Sequence, residues 1–356
     1  MRRVSIDDLE TGAKLAKSIY AADQRMLLCQ GTRLTDSFIE RLKQLGYGSI
    51  YIDDGLIDDV VVDELITEKT RLQALKCVRD ATEALQHNGE FNVASMKQTV
   101  GNLIDDLIGN RHLMLNLNDI QSFDEYTFDH SVNVTVVSLL IGMHLYYPID
   151  KLRDLGLGVL LHDLGKTMVP YEILNKPGKL TDEEFSVVKQ HTWQGFELLR
   201  RNPEIKITCA HVALQHHERV DGSGYPRNLA QADILEFARI SAVADVFDAL
   251  SNDRCYRKKM PTHKVCQILK EGSGTHFDQD ILEKFIDKVA LYPKGTKILL
   301  NDGSSGFVIK QNNMVPERPM VRIFWQNQKE MGKPKEINLL YEPYLRIVEV
   351  LDTRSS

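Results

Sequence analysis

Five histidines and two aspartates stand in apolar stretches of the sequence, where an unpaired charge is costly to bury and usually signals a metal, a partner or a function. His130 opens HSVNVTVV, His162 and Asp163 lie in VLLHDLGK, and His191 follows TDEEFSVVKQ. His216 and His217 sit in ALQHHERVDGSGYP, and Asp245 interrupts ISAVADVFDAL. Any one of them alone is more often a hydrogen-bonded core residue than a ligand. As a set on neighbouring helices they have the imidazole and carboxylate chemistry that holds first-row metals. They divide into His130, His162, Asp163 and Asp245 on one side and His191, His216 and His217 on the other, with Asp163 as the bridge. Two ions about 3.5–4 Å apart bind both an attacking hydroxide and a phosphoryl oxygen, which is hydrolase machinery. A ligand set of N and O atoms without thiolates suits iron, manganese, zinc, nickel or cobalt better than magnesium or calcium.

Groups suited to phosphate lie close by in the sequence. Lys166 follows Asp163 by three residues, roughly one helical turn, so its ammonium is within reach of a phosphoryl oxygen there. Arg254, Arg257, Lys258 and Lys259 come shortly after Asp245, and arginine forks match phosphate oxygens in pairs. The loop ERVDGSGYP, with Asp221, Gly222, Gly224, Tyr225 and Pro226, joins an unusual backbone path to an aromatic ring directly after the histidine pair.

The elements that must position these residues are mainly helical. Between 120 and 290 several segments are apolar almost all round, as expected of helices buried in a sizeable bundle. Thr181 and Glu184 form a capping box that starts a helix over TDEEFSVVKQHTWQGFELL, with Phe185, Val188 and Phe196 as its apolar stripe and His191 in phase. Residues 1–65 read as a small α+β domain, with an acidic run from Asp53 to Glu68 that has the composition of a solvated linker. Residues 66–118 read as a helical connector that could pair two chains into a homodimer or pack onto the bundle. Residues 119–290 read as a helical domain that would carry the catalytic residues, and 291–356 as a β-rich appendage with a hairpin at Asp302-Gly303.

Composition narrows the class further. The chain has 356 residues, 44 Lys+Arg against 50 Asp+Glu and a net charge of -6, so it lacks the basic field of a binder of polymeric nucleic acid or anionic membrane. A small phosphorylated ligand needs only a few local cations. The five scattered cysteines form no CxxC pair, and no secretory or membrane-spanning apolar segment stands out, which points to the reducing cytoplasm.

With these residues in view, HSVNV, HDLGK, KQHTWQG, HHERVDGSGYP and ADVFDALSNDRCYRKK together resemble the HD-GYP branch of the HD phosphohydrolases, across about 140 residues from near Asp124 to Lys259. The resemblance implies an HD-type helical bundle and a metal-dependent phosphodiesterase that opens cyclic di-GMP to linear pGpG, in some members continuing to GMP. It implies a centre of iron or manganese held by His130, His162, Asp163, His191, His216, His217 and Asp245. By the same resemblance Lys166 assists at the phosphate, Asp221, Gly224 and Tyr225 contact the guanine side, and Arg254 with Arg257 hold phosphates. Three-metal members carry a glutamate one turn before the first histidine; Tyr126 stands there, and Glu125 is about 100° away around a helix, so two ions are expected. Cys255 replaces the usual proline after the motif arginine. The rival readings are a receptor that binds cyclic di-GMP without cleaving it, and an HD phosphohydrolase acting on another cyclic dinucleotide or nucleotide. The complete set of seven ligands argues against the first.

Overall fold

The structure is a computed structural model that describes residues 1–20, 25–45, 47–62, 64–87, 90–111, 113–115, 126–252 and 260–351. The chain forms two compact units. One joins residues 1–64 with 112–124 and 288–356, and the other holds 65–111 and 125–287.

In the first unit, strands β1 (Arg2–Ser5), β2 (Lys14–Leu15) and β5 (Ser49–Asp53) form an antiparallel sheet in the order β1-β5-β2, beside the short hairpin β3 (Ile19–Tyr20) and β4 (Met26–Leu28). Helix α1 (Asp36–Gln44), capped by Thr35, buries Ile39 and Leu42 in the core with Val4, Leu15, Ile50 and Ile52. The C-terminal part is a five-stranded antiparallel sheet, β10-β6-β7-β8-β9, made of β6 (Lys297–Leu300), β7 (Ser304–Lys310), β8 (Met320–Gln326), β9 (Lys329–Asn338) and β10 (Ile347–Val350). Its first hairpin turns at Gly303, whose φ of +80° suits glycine, and Asp302 accepts a hydrogen bond from the Ser304 amide.

The acidic run after β5 is more than a solvated linker. Ile57 and Val60 pack with Phe307 and Phe324 of the C-terminal sheet. Both guanidinium NH2 groups of Arg322 donate to Asp59 at 2.7 Å, and this holds the Asp59 carboxyl at about 2. Termini that are far apart in sequence therefore share one core.

The second unit is a helical bundle. Helix α4 (Tyr126–His144) lies at its centre, with Val132, Val134, Val136, Val137 and Leu139 fully buried, because its sequence offers no polar face to solvent. It packs against α2 (Glu68–Gln86), α5 (Ile149–Leu160) and α10 (Glu236–Ser251). Helix α3 (Val93–Gly109) buries Val100, Leu103 and Leu107 and packs on α2 and α5, so both helices of the segment 66–118 belong to the bundle. The short α6 (Tyr171–Leu174) leads to α7 (Asp182–Lys189), α8 (His191–Arg200) and α9 (Ile207–Gln215), and the unit ends with α11 (Thr262–Glu271) and α12 (Gln279–Ile286).

Two expectations about these helices need correction. The segment from Thr181 is two helices, α7 and α8, that break at Gln190 and put His191 at the start of the second. Phe185 accordingly leaves the core stripe and is 43% exposed. No described helix is long and apolar enough to cross a membrane.

Candidate metal centre

Helix ends and tight turns deliver most of the centre. His162 and Asp163 come directly after Leu161, the C-cap of α5, Lys166 lies in the 3-10 turn Leu164–Met168, and His191 opens α8. His216 and His217 follow α9, while His130 projects from α4 and Asp245 from α10. Gly165 explains how two of these segments come together. A Cβ there would lie 2.0 Å from the His191 carbonyl oxygen, so only glycine lets the HDLGK turn press against the start of α8.

The seven residues converge in overlapping groups: His130, His162 and Asp245; His191, His216 and His217; and His162, Asp163 and His216. Asp163 faces both sides. Its Oδ2 lies 3.5 Å from His130 Nε2 and 3.4 Å from His162 Nε2, and its Oδ1 lies 3.5 Å from His191 Nε2 and 3.7 Å from His216 Nε2. His217 Nδ1 approaches Asp245 at 3.7 Å.

Hydrogen bonds fix which ring nitrogens are available. The Nδ1 atoms of His162, His191 and His216 lie 2.7, 2.6 and 2.9 Å from the carbonyls of Val159, Val188 and Ala213. A carbonyl only accepts, so each Nδ1 carries the proton and each Nε2 presents a lone pair. His191 Nε2 and His216 Nε2 are 3.3 Å apart, two lone pairs pointed at one another. His162 Nε2 and Asp163 Oδ1 are buried without a hydrogen-bond partner. Buried acceptors that face only acceptors are unfavourable until a cation lies among them. The donor set therefore fits divalent metal ions.

Charges in the centre follow the same logic. Burial alone would raise the Asp163 carboxyl, but the Lys166 ammonium at 2.5 Å and the charged His130 imidazole hold it well below the carboxylate range. Burial keeps His162, His191, His216 and His217 below the usual histidine value. His130 goes the other way. Burial lowers it, yet Asp245 at 3.1 Å and Asp248 at 2.7 Å outweigh that and raise it to about 9. Burial would also raise Asp245, which its contacts with His130 depress instead.

The HD domain family profile matches residues 113–281, and that of the KOW domain associated with HD domain matches 297–356. A cyclic di-GMP phosphodiesterase of Pseudomonas aeruginosa is 35% identical over 281 residues, which cover 76% of this chain and 67% of that protein. The chain belongs to the HD-GYP family of HD-domain proteins. A cyclic di-GMP phosphodiesterase of Thermotoga maritima is 45% identical over 164 residues, 46% of this chain and 45% of the relative. A 3′3′-cGAMP-specific phosphodiesterase of Vibrio cholerae is 34% identical over 205 residues, 57% of this chain and 46% of the relative. This HD-GYP chain thus spans about half the length of those last two. The fold also matches a solved HD-GYP-type protein from Bdellovibrio bacteriovorus, with a TM-score of 0.52 at 18% identity over 80% of this chain and 98% of that one.

In this HD-GYP protein the loop after the histidine pair is built around Glu218, which is buried and accepts hydrogen bonds from the Arg227 and Leu229 amides. Gly224 is enclosed by that turn, where a Cβ would lie 2.4 Å from the Arg219 amide nitrogen. Asp221 is exposed and accepts from the Ser223 amide in its own loop. Tyr225 is the loop residue that reaches the centre, its ring 4.7 Å from that of His217. Arg254 and Arg257 lie outside the described residues.

Sequence reasoning missed Asp248 and Glu218. Asp248 Oδ2 accepts a hydrogen bond from His130 Nδ1 at 2.7 Å, and its other oxygen accepts from Asn252 Nδ2 at 2.6 Å. The signal was available: Asp248 lies three residues after Asp245, on the same face of α10.

Proposed function

We propose that the protein is a metal-dependent phosphodiesterase that opens cyclic di-GMP to linear pGpG, using two ions of iron or manganese. His130, His162, Asp163 and Asp245 would hold one ion, and His191, His216, His217 and the second oxygen of Asp163 the other. The observation that carries this reading is the pair of facing Nε2 lone pairs on His191 and His216, beside a carboxylate directed to both histidine groups. When bound, such ions offset phosphoryl charge and supply a nucleophile at neutral pH. The remaining roles belong to the chain. Asp163 fixes the separation of the two groups. Lys166, tied to Asp163, adds a positive charge where a phosphoryl oxygen would collect. Asp248 orients His130, and Tyr225 offers an aromatic surface beside His217. Arg254 and Arg257 would grip further phosphate oxygens.

The names of the Pseudomonas and Thermotoga relatives support cyclic di-GMP as the substrate. The cGAMP-specific relative supports a second reading, the same chemistry on a mixed cyclic dinucleotide. Cys29, Cys77, Cys209 and Cys266 are free, in keeping with a cytoplasmic setting. The test is anaerobic reconstitution with Fe²⁺ or Mn²⁺, elemental analysis and product chromatography, run beside a variant with His162→Ala and Asp163→Ala. Two ions per chain with conversion to pGpG are expected, and the double variant should lose both. Metal-loaded protein that leaves the dinucleotide intact, or a double variant with full activity, would overturn the reading.

A further inference from the structure

Phe185 is out of place for a residue on an apolar stripe. It is 43% exposed on α7, yet it is not an isolated surface aromatic. Its ring stands edge-on to Tyr225, with centroids 6.0 Å apart at 82°, and Tyr225 in turn lies 4.7 Å from His217 at 35°. A ladder of rings thus runs from a proposed metal ligand to an exposed phenyl group. Lys189, at i+4 from Phe185 on the same helix face, holds its ammonium 5.1 Å from the Phe185 centroid and 5.9 Å from that of Tyr225.

The ladder is rigidly mounted. The capping box between Thr181 and Glu184 fixes the start of α7, and Lys176 donates to both Glu184 oxygens at 2.7 Å. At the other end, Lys189 is two residues from His191, so the wall and a metal ligand share one turn of chain.

We propose that Phe185, together with Tyr225 and Lys189, is the wall on which a purine of the cyclic dinucleotide stacks while its phosphate is held at the metal centre. This rests on the phosphodiesterase reading above. A cyclic dinucleotide carries flat bases outward from a charged ring of phosphates, and aromatic rings that lead away from the proposed ligands to the exposed Phe185, with the Lys189 ammonium beside them, match that order. Base stacking of this kind accepts any purine, so Phe185 sets affinity for the class while other contacts choose between guanine and adenine.

The test compares the wild-type protein with Phe185→Ala and Phe185→Trp, on cyclic di-GMP, 3′3′-cGAMP, cyclic di-AMP and a base-free diester without aromatic rings, the abasic cyclic bis-ribose phosphate. Phe185→Ala should raise KM for the preferred dinucleotide about tenfold with little effect on kcat, so the preference for dinucleotide over base-free diester falls by a similar factor. Phe185→Trp should restore KM, and its fluorescence should be quenched as dinucleotide binds. Equal losses on dinucleotide and base-free diester, or an unchanged KM, would overturn the proposal. If wild-type protein cleaves none of the dinucleotides, the functional reading fails and the wall is judged on binding alone. Phe185→Trp emission that no dinucleotide quenches would then overturn it.

Discussion

At the scale of single residues the centre is a proton-sorting device. Four of its histidines are neutral because burial outweighs nearby carboxylates, while His130 keeps a proton because two carboxylates flank it. A metal that ligates His130 Nε2 must displace that proton. We therefore predict close to one proton released per chain on metal loading at pH 7.5, measurable by titration calorimetry in buffers of different ionisation enthalpy. Metal affinity should rise about tenfold per pH unit between roughly 6.5 and 9 and then level off. The folding stability of the apoprotein runs the opposite way. A histidine raised from 6.5 to about 9 adds stability that is complete below 6.5 and is lost as pH rises through 9, so apoprotein melting temperature should fall over that interval. Asp248→Ala removes the acceptor for His130 Nδ1 and should weaken metal binding by about 10- to 100-fold in chelator competition. The metal-ligand candidates were legible in the sequence because most of them interrupt apolar segments and four fall in adjacent pairs, His162 with Asp163 and His216 with His217. Asp248 could be read only as a neighbour of Asp245 on one face of α10; that its partner is His130 depends on the crossing of α10 with α4, which a linear sequence does not display.

At the scale of elements, close approach and capping decide whether the candidate ligands meet. Gly165→Ala would drive a methyl group into the His191 carbonyl, and we expect a loss of about 1–3 kcal/mol in chemical denaturation together with reduced metal content. Thr181→Ala removes the side-chain acceptor that starts α7 and should cost about 1 kcal/mol by the same measurement. The helix start at Thr181 was readable from its capping box. The break at Gln190 was not, since no proline or glycine marks it; it follows from the tertiary contact of the HDLGK turn with α8. Phe185, an expected core residue, is exposed on the first of the two helices.

At the scale of the whole molecule, the composition and the run of apolar segments were enough to indicate a mainly helical protein with β-rich material near its C-terminus. What they could not indicate is that residues 1–64 and 288–356 share one compact unit, because the packing of Ile57 and Val60 on Phe307 and the pairing of Asp59 with Arg322 join positions some 250 residues apart. Phe307 is almost wholly buried in that shared core, and Phe307→Ala should destabilise the unit by about 3–5 kcal/mol in thermal or chemical unfolding. The central claim concerns the other unit, and it is tested most directly by incubating Mn²⁺-loaded protein with cyclic di-GMP and following the nucleotides by chromatography. The account predicts loss of the cyclic species with matching growth of linear pGpG. Cyclic di-GMP that stays intact in the presence of protein shown to contain two metal ions would contradict it.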